Sequence, residues 1–165
     1  MVSHALFNHF IGIEPKKRVA SPPVDLRPDS GRYTFLEQGH VMEFLLIGEQ
    51  KKRIVSLFFE PNDFVIPSHP VYSHLVSLDD CKTLVFNYST IVRILREFPD
   101  TKFHYQELKK IYEKKVASRI HSLTTMTAPE RFAHLKATQP WVFSLAGEED
   151  IASYLGMSTG MLRSL

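Results

Sequence analysis

The stretch Glu148–Leu165, EEDIASYLGMSTGMLRSL, has the spacing of two short helices packed across a tight turn. Such a helix-turn-helix needs a small residue in its fifth place, where the helices touch. It needs a glycine in its ninth, where the turn takes a positive φ. Its fourth, eighth, tenth, fifteenth and eighteenth places must be apolar to pack the helices together. Here the small residue is Ala152, the glycine is Gly156, and the apolar places hold Ile151, Leu155, Met157, Leu162 and Leu165. Ser158 stands where its hydroxyl can cap the second helix. An ordinary hairpin of helices in an α-rich core is the plainer alternative, but it does not require both Ala152 and Gly156.

Upstream, Thr127-Ala128-Pro129-Glu130 marks a helix start: a capping threonine, a proline at an early helical position and a glutamate that completes a capping box. That helix turns Phe132, Leu135 and Ala133 inward and ends at Pro140. Before it, Phe103, Leu108, Ile111, Tyr112, Val116, Ile120 and Leu123 recur mostly every three or four residues over 100–123, close to a coiled-coil seam. Lys109, Lys110, Glu113, Lys114, Lys115 and Arg119 between them form a solvated face. A shorter helix is expected from a Ser89 cap, carrying Ile91, Val92 and Leu95 and ending at Phe98-Pro99.

From Arg32 to Tyr88 the pattern is that of short strands. RYTFLEQ, HVMEFLLI, RIVSLFFE, HLVSL and KTLVFNY follow closely, with turns at Gly39, Gly48 and Pro61-Asn62-Asp63. Short Val-, Ile-, Leu- and Phe-rich strands between turns point to a barrel, roll or sandwich. Pro15, Pro22, Pro23 and Pro28 restrict residues 15–30 to loop and edge strand. Residues 4–11, HALFNHFI, have the spacing of a short amphipathic helix.

Composition agrees with a folded, soluble chain. Its 44% hydrophobic residues suffice for a core, and a net charge of +2 gives no whole-chain signature of nucleic-acid binding. One cysteine, Cys81, excludes an internal disulfide and a cysteine-rich metal cluster. The N-terminal residues lack the pattern of a signal peptide, and no run is long enough to span a membrane. A cytoplasmic location is therefore expected.

RFAHLKATQP followed by EEDIASYLGMSTGML resembles the C-terminal part of Crp/Fnr regulators, of the Bacteroidetes type. RYTFLEQGHVMEFLL and FFEPNDFVIP resemble the strands of that family's effector roll, and FPDTKFHYQELKKIYEKK its dimer helix. The resemblance implies an α+β fold: an eight-stranded, cyclic nucleotide-binding-like β-roll (a double-stranded β-helix) with flanking helices, a long dimerisation helix and a partial winged helix-turn-helix. The corresponding divisions are 1–99, 100–125 and 126–165. It also implies a homodimer that senses a small effector and places its second helices in successive major grooves of a palindromic DNA site.

On that resemblance the dimer seam is Leu108, Ile111, Tyr112, Val116, Ile120 and Leu123. The DNA-facing residues are Ser158, Thr159, Gly160, Arg163 and Ser164, with Arg163 able to contact guanine or phosphate. The effector pocket is expected around Phe64, Ile66, Ser68 and His69. Family members that hold cyclic nucleotides use a Gly-Glu pair for the ribose and an Arg-Ser or Arg-Thr pair for the phosphate. This chain has Phe64-Val65-Ile66-Pro67-Ser68-His69-Pro70 there, and no arginine between Arg53 and Arg93. Cyclic AMP is therefore not expected, no cofactor is assigned, and the effector is unidentified.

The DNA reader departs from the family as well: a customary glutamate near the start of the second helix is missing, and the arginine stands one place early. From Met126 to Leu165 the cations are Arg131, Lys136 and Arg163, against Glu130, Glu148, Glu149 and Asp150. The sequence ends before the wing that follows the reading helix in the family, so weak DNA binding is expected of this chain. The alternative is a ligand-binding or protein-interacting dimer that no longer reads DNA. From a different class, His69, His74 and Cys81 raise a cupin-like metalloenzyme or a Cys-His nucleophile, but no glutamate follows the histidines before Glu97. Loop histidines and a buried cysteine are the plainer reading. Trp141, near Phe143, is expected to be a packing anchor.

Overall fold

The computed structural model describes residues 16–20, 32–49, 52–66 and 73–165. The expected helix over 4–11 and the pocket residues Ser68 and His69 lie outside them. Among the described residues are seven strands and six helices.

The strands form two antiparallel sheets. The first contains β1 (Lys16–Ala20), β7 (Cys81–Asn87), β2 (Arg32–Gln38) and β5 (Phe64–Val65), in that spatial order. The second places β3 (Val41–Ile47) between β4 (Lys52–Phe59) and β6 (Ser73–Ser77). β1 is an edge strand, the position left open to a segment flanked by prolines. The expected turns carry the positive φ values: Gly39 at 86°, Gly48 at 74° and Asn62 at 78°. At Gly39 the need for glycine is also steric, since a Cβ would lie 2.5 Å from the carbonyl oxygen of Asp80.

The interior of the roll holds Leu36, Val41, Leu57, Phe59, Val65, Leu75 and Cys81. A neighbouring cluster joins Phe35, Phe64, Leu84 and Phe86 to the first two helices. The outer face of the second sheet is covered too. Met42, Phe44, Val55 and Phe58 pack against Leu135, Val142, Ile151, Ala152, Leu155 and Leu162 of the C-terminal helices. A bulge makes this face continuous: Glu43 pairs with Leu57 and Phe44 with Val55, so Ser56 is the extra residue. Burial on both sides explains why β3 and β4 are nearly unbroken apolar runs.

Helix α1 spans Tyr88–Glu97 and buries Ile91 and Ile94. It starts earlier than the Ser89 cap predicts, because β7 runs directly into it through Asn87, whose side chain makes no capping bond. Val92 is exposed rather than inward. Helix α2, Thr101–Thr125, is the long one. Helix α3, Ala128–Thr138, has the predicted capping box: the Thr127 backbone N–H and hydroxyl both donate to Glu130 at 2.7 Å. Leu135 is buried and Phe132 half-buried, whereas Ala133 is exposed, contrary to the sequence reading. A single turn, α4 (Val142–Leu145), leads to α5 (Glu148–Leu155) and α6 (Thr159–Arg163).

Candidate nucleic-acid interface

Helices α5 and α6 form the motif that the sequence spacing requires. Ile151, Ala152 and Leu155 are buried on α5, and Leu162 on α6. Gly156 has φ 64° and ψ 42°, the left-handed conformation of the turn. Its N–H reaches the Ser153 carbonyl at 3.2 Å, and the Met157 N–H reaches that of Ala152 at 3.0 Å. This pair of bonds is a Schellman closure, which satisfies the carbonyls left open at the end of α5. A side chain at Gly156 would also come within 2.9 Å of Leu123 on α2. Ser158 accepts the Met161 N–H at 3.2 Å, as predicted for a cap. Leu165 departs from the pattern: it is exposed rather than packed.

The motif docks on the roll through α5. The Val55 N–H on β4 donates to the Ser153 hydroxyl at 3.0 Å, and Arg53 lies 3.3 Å from Asp150. The Tyr154 ring sits 4.8 Å from that of Phe58. Arg131 ties the helix ends together, its Nε to the Leu155 carbonyl and its Nη1 to that of Met126, both at 2.6 Å. Two of its N–H groups are thus committed to backbone oxygens.

Of the expected DNA-facing residues, Ser158, Gly160, Arg163 and Ser164 are exposed and Thr159 is half-buried. Ser158 is occupied as a cap, and the Ser164 hydroxyl donates to the Met161 carbonyl at 2.7 Å. Arg163 is engaged as well: its Nη2 and Nε lie 2.7 and 3.0 Å from Glu148 Oε2. That bond holds the Glu148 carboxyl below the usual glutamate range. The first turn of α5 adds Glu149 and Asp150, so the surface beside the second helix is acidic.

Structure divides the predicted α2 seam. Leu108 and Tyr112 are buried against the chain's own roll, and Val116 packs there half-buried. Ile111, Ile120 and Leu123 are exposed, as is Phe103. The predicted solvated face also needs correction. Arg119 is buried with its guanidinium 4.1 Å from the Tyr154 ring centre, and Lys115 is paired with buried Asp63.

In the expected effector region, Phe64 is buried and stacks on Tyr33 at 5.6 Å, while Ile66 packs against both roll clusters. Glu43 was missed in the sequence. It is fully buried in β3 and accepts the Ser73 hydroxyl from β6. His74 stacks on Phe44 at 5.1 Å. The Cys81 thiol donates to the His40 carbonyl at 3.3 Å, and burial with nearby Asp79 pushes its pKa up to about 11, which disfavours the thiolate. Among the described residues no three His, Cys, Asp or Glu side chains gather as a metal site. Trp141 packs in the outer cluster, lies 4.2 Å from the His40 ring and donates to Glu60 at 3.3 Å.

No protein-family model and no curated protein matches the chain. Solved structures do. FixK2 from Bradyrhizobium japonicum superposes with a TM-score of 0.75 at 14% identity, over 92% of this chain and 82% of that one. The c-di-GMP responsive global regulator CLP from Xanthomonas campestris gives 0.74 at 15%, over 97% and 88%. A putative transcriptional regulator of the Crp/Fnr family from Eubacterium rectale gives 0.73 at 11%, over 98% and 80%. An antiparallel β-roll joined by a long helix to a helix-turn-helix is thus an architecture shared with these proteins. The fold is that of the Crp/Fnr regulators.

Proposed function

We propose that this chain is a DNA-binding transcription regulator of the Crp/Fnr type, not an enzyme, and that it acts as a homodimer. The observation that carries the reading is the geometry at Ala152, Gly156 and Ser158: a buried small residue, a left-handed glycine and a capped second helix, with the outer face of α6 exposed. Phe103, Ile111, Ile120 and Leu123, exposed along α2, support a dimer, because soluble proteins rarely leave such groups uncovered. The missing Gly-Glu and arginine around Phe64–Pro70 support an effector other than cyclic AMP or cyclic GMP, for which calorimetry should show no micromolar binding. Selection from random duplexes followed by gel-shift titration at physiological salt tests DNA reading. Enrichment of a palindromic site is the expected result, and its absence would overturn the reading.

The engagement of Arg163 by Glu148 favours a second reading, a dimer that binds a ligand or a protein but no longer DNA. DNA affinity comes largely from cations meeting phosphates. Residues 126–165 carry three cations against four anions, and Arg131 is turned to backbone carbonyls.

A further inference from the structure

A cleft of about 640 Å³ opens where α2, α3 and α5 meet the end of β4. It lies within the size range of small-molecule sites. Its wall is apolar at Leu57, Phe58 and Leu135, and its charged groups are unbalanced. Lys114, Lys115, Arg119 and Arg131 line it against one carboxylate, Glu60.

The decisive group is Arg119. The residue is 9% exposed, and its Nη1 is buried without a hydrogen-bond partner. Leaving a buried guanidinium nitrogen unbonded is costly, and no carboxylate within the described residues pairs with it. The neighbouring groups do not compensate. Lys115 is spent on Asp63, and Arg131 adds a like charge on the facing helix. Glu60 is turned to the indole N–H of Trp141. The Tyr154 ring holds the guanidinium plane, while the Ser118 and Ser122 side chains line the same wall of α2.

We propose that this cleft binds a small molecule with an oxyanion head, a carboxylate or a phosphate, and an apolar body. Arg119 takes the head by charge-assisted hydrogen bonds, and the Leu57–Phe58–Leu135 wall takes the body. The ligand would touch α2, α3 and the roll together, at the junction between the roll and the helix-turn-helix. The effector seat is therefore placed between the two parts, separate from the expected seat near Phe64 inside the roll. Ligand binding at this cleft goes beyond the proposed DNA reading and does not depend on it, since it is measured without DNA.

The test uses the full chain with inorganic phosphate and benzoate as probes, and sodium chloride at matched ionic strength as control. Trp141 is the only tryptophan and donates to Glu60 on the cleft wall, so its fluorescence is the readout. At least one probe should give a saturable change that chloride does not, and which one identifies the head group. Arg119→Met should weaken that binding by about tenfold or more while keeping or raising the melting temperature. Should Arg119→Met fail to fold, hydrogen exchange on the unmodified chain decides. Probe-dependent protection over residues 111–122 and 131–139 supports the site. Absence of binding above the chloride control, equal binding by a folded Arg119→Met, or protection confined to other segments overturns it.

Discussion

Two nitrogens of Arg163 converge on one carboxylate oxygen of Glu148, so the single cation of α6 is already held within the motif that would carry it to DNA. Both side chains are largely exposed, and the pair is open to competition by a phosphate or a guanine edge. Glu148→Gln should release the guanidinium and tighten binding to a selected operator by about three- to tenfold, with a steeper salt dependence. Arg163→Ala should weaken it. Loss confined to one base position means that Arg163 reads a base, whereas a uniform loss means that it contacts phosphate. Gel-shift titrations of the two variants across a salt series give both answers.

Two glycines in the same motif should respond to alanine with opposite signs. At Gly156 the backbone is left-handed and a Cβ would press on Leu123. Leu123 can move aside but the backbone strain cannot, so Gly156→Ala should destabilise by about 1–2 kcal/mol. At Gly160 the nearest neighbour to a new Cβ is Ser158 Oγ at 3.9 Å, an ordinary van der Waals contact. Gly160→Ala should stabilise the short α6 by about 0.5–1 kcal/mol. Denaturant titration of both variants checks the signs. Destabilisation by both would mean that the outer face of α6 is more confined than its exposure indicates.

Features set by local spacing were legible in the sequence. The Gly156 turn, the Thr127–Glu130 capping box and the Ser158 cap each depend on residues a few places apart. Features set by distant chain segments were not. Glu43 is buried and accepts a hydrogen bond from Ser73, thirty residues on, and Arg119 meets Tyr154 across a domain junction. Neither contact leaves a periodic trace. In α2 apolar residues point both toward the roll and away from it, so spacing alone could not separate Tyr112, which packs on the roll, from Ile120, which does not. Leu165 matched the template by type but has no partner across the turn that would bury it. The Arg163–Glu148 pair was within reach of the sequence, because the template already brings the start of α5 near the end of α6.

The Asp63–Lys115 pair anchors α2 to the β4–β5 loop, and its pH response has a definite sign. Asp63 also accepts the Glu60 N–H at 2.9 Å. Burial raises the Asp63 pKa above the usual aspartate range, although Lys115 pulls it back. An acid whose pKa is raised on folding binds protons more tightly in the folded state, so its contribution favours folding below the unfolded value and is lost as pH rises through the folded one. Lys115→Met removes the opposing cation and should cost about 1–3 kcal/mol at neutral pH. It should raise the Asp63 pKa further, so the variant should recover part of the loss on mild acidification. Lys115→Met/Asp63→Asn should lack that recovery. Urea titrations at pH 5 and pH 8 separate these outcomes.

The division of α2 predicts which substitutions separate subunits and which unfold the chain. Tyr112 is 9% exposed and lies parallel to the Phe59 ring at 6.4 Å, so Tyr112→Ala should cost about 2–4 kcal/mol through the cavity it leaves. Any loss of dimer would then accompany loss of fold. Phe103 and Ile120 are 65% and 56% exposed, so aspartate at either place meets no buried neighbour in the single chain. The double variant Phe103→Asp/Ile120→Asp should keep its circular dichroism and melting profile while light scattering falls from the mass of a dimer to that of a monomer. These positions face away from the roll, which makes the variant a cleaner probe than one altering Val116, whose side chain packs on Tyr112 and its neighbours. A folded double variant that remains dimeric would place the interface on a surface other than the exposed side of α2.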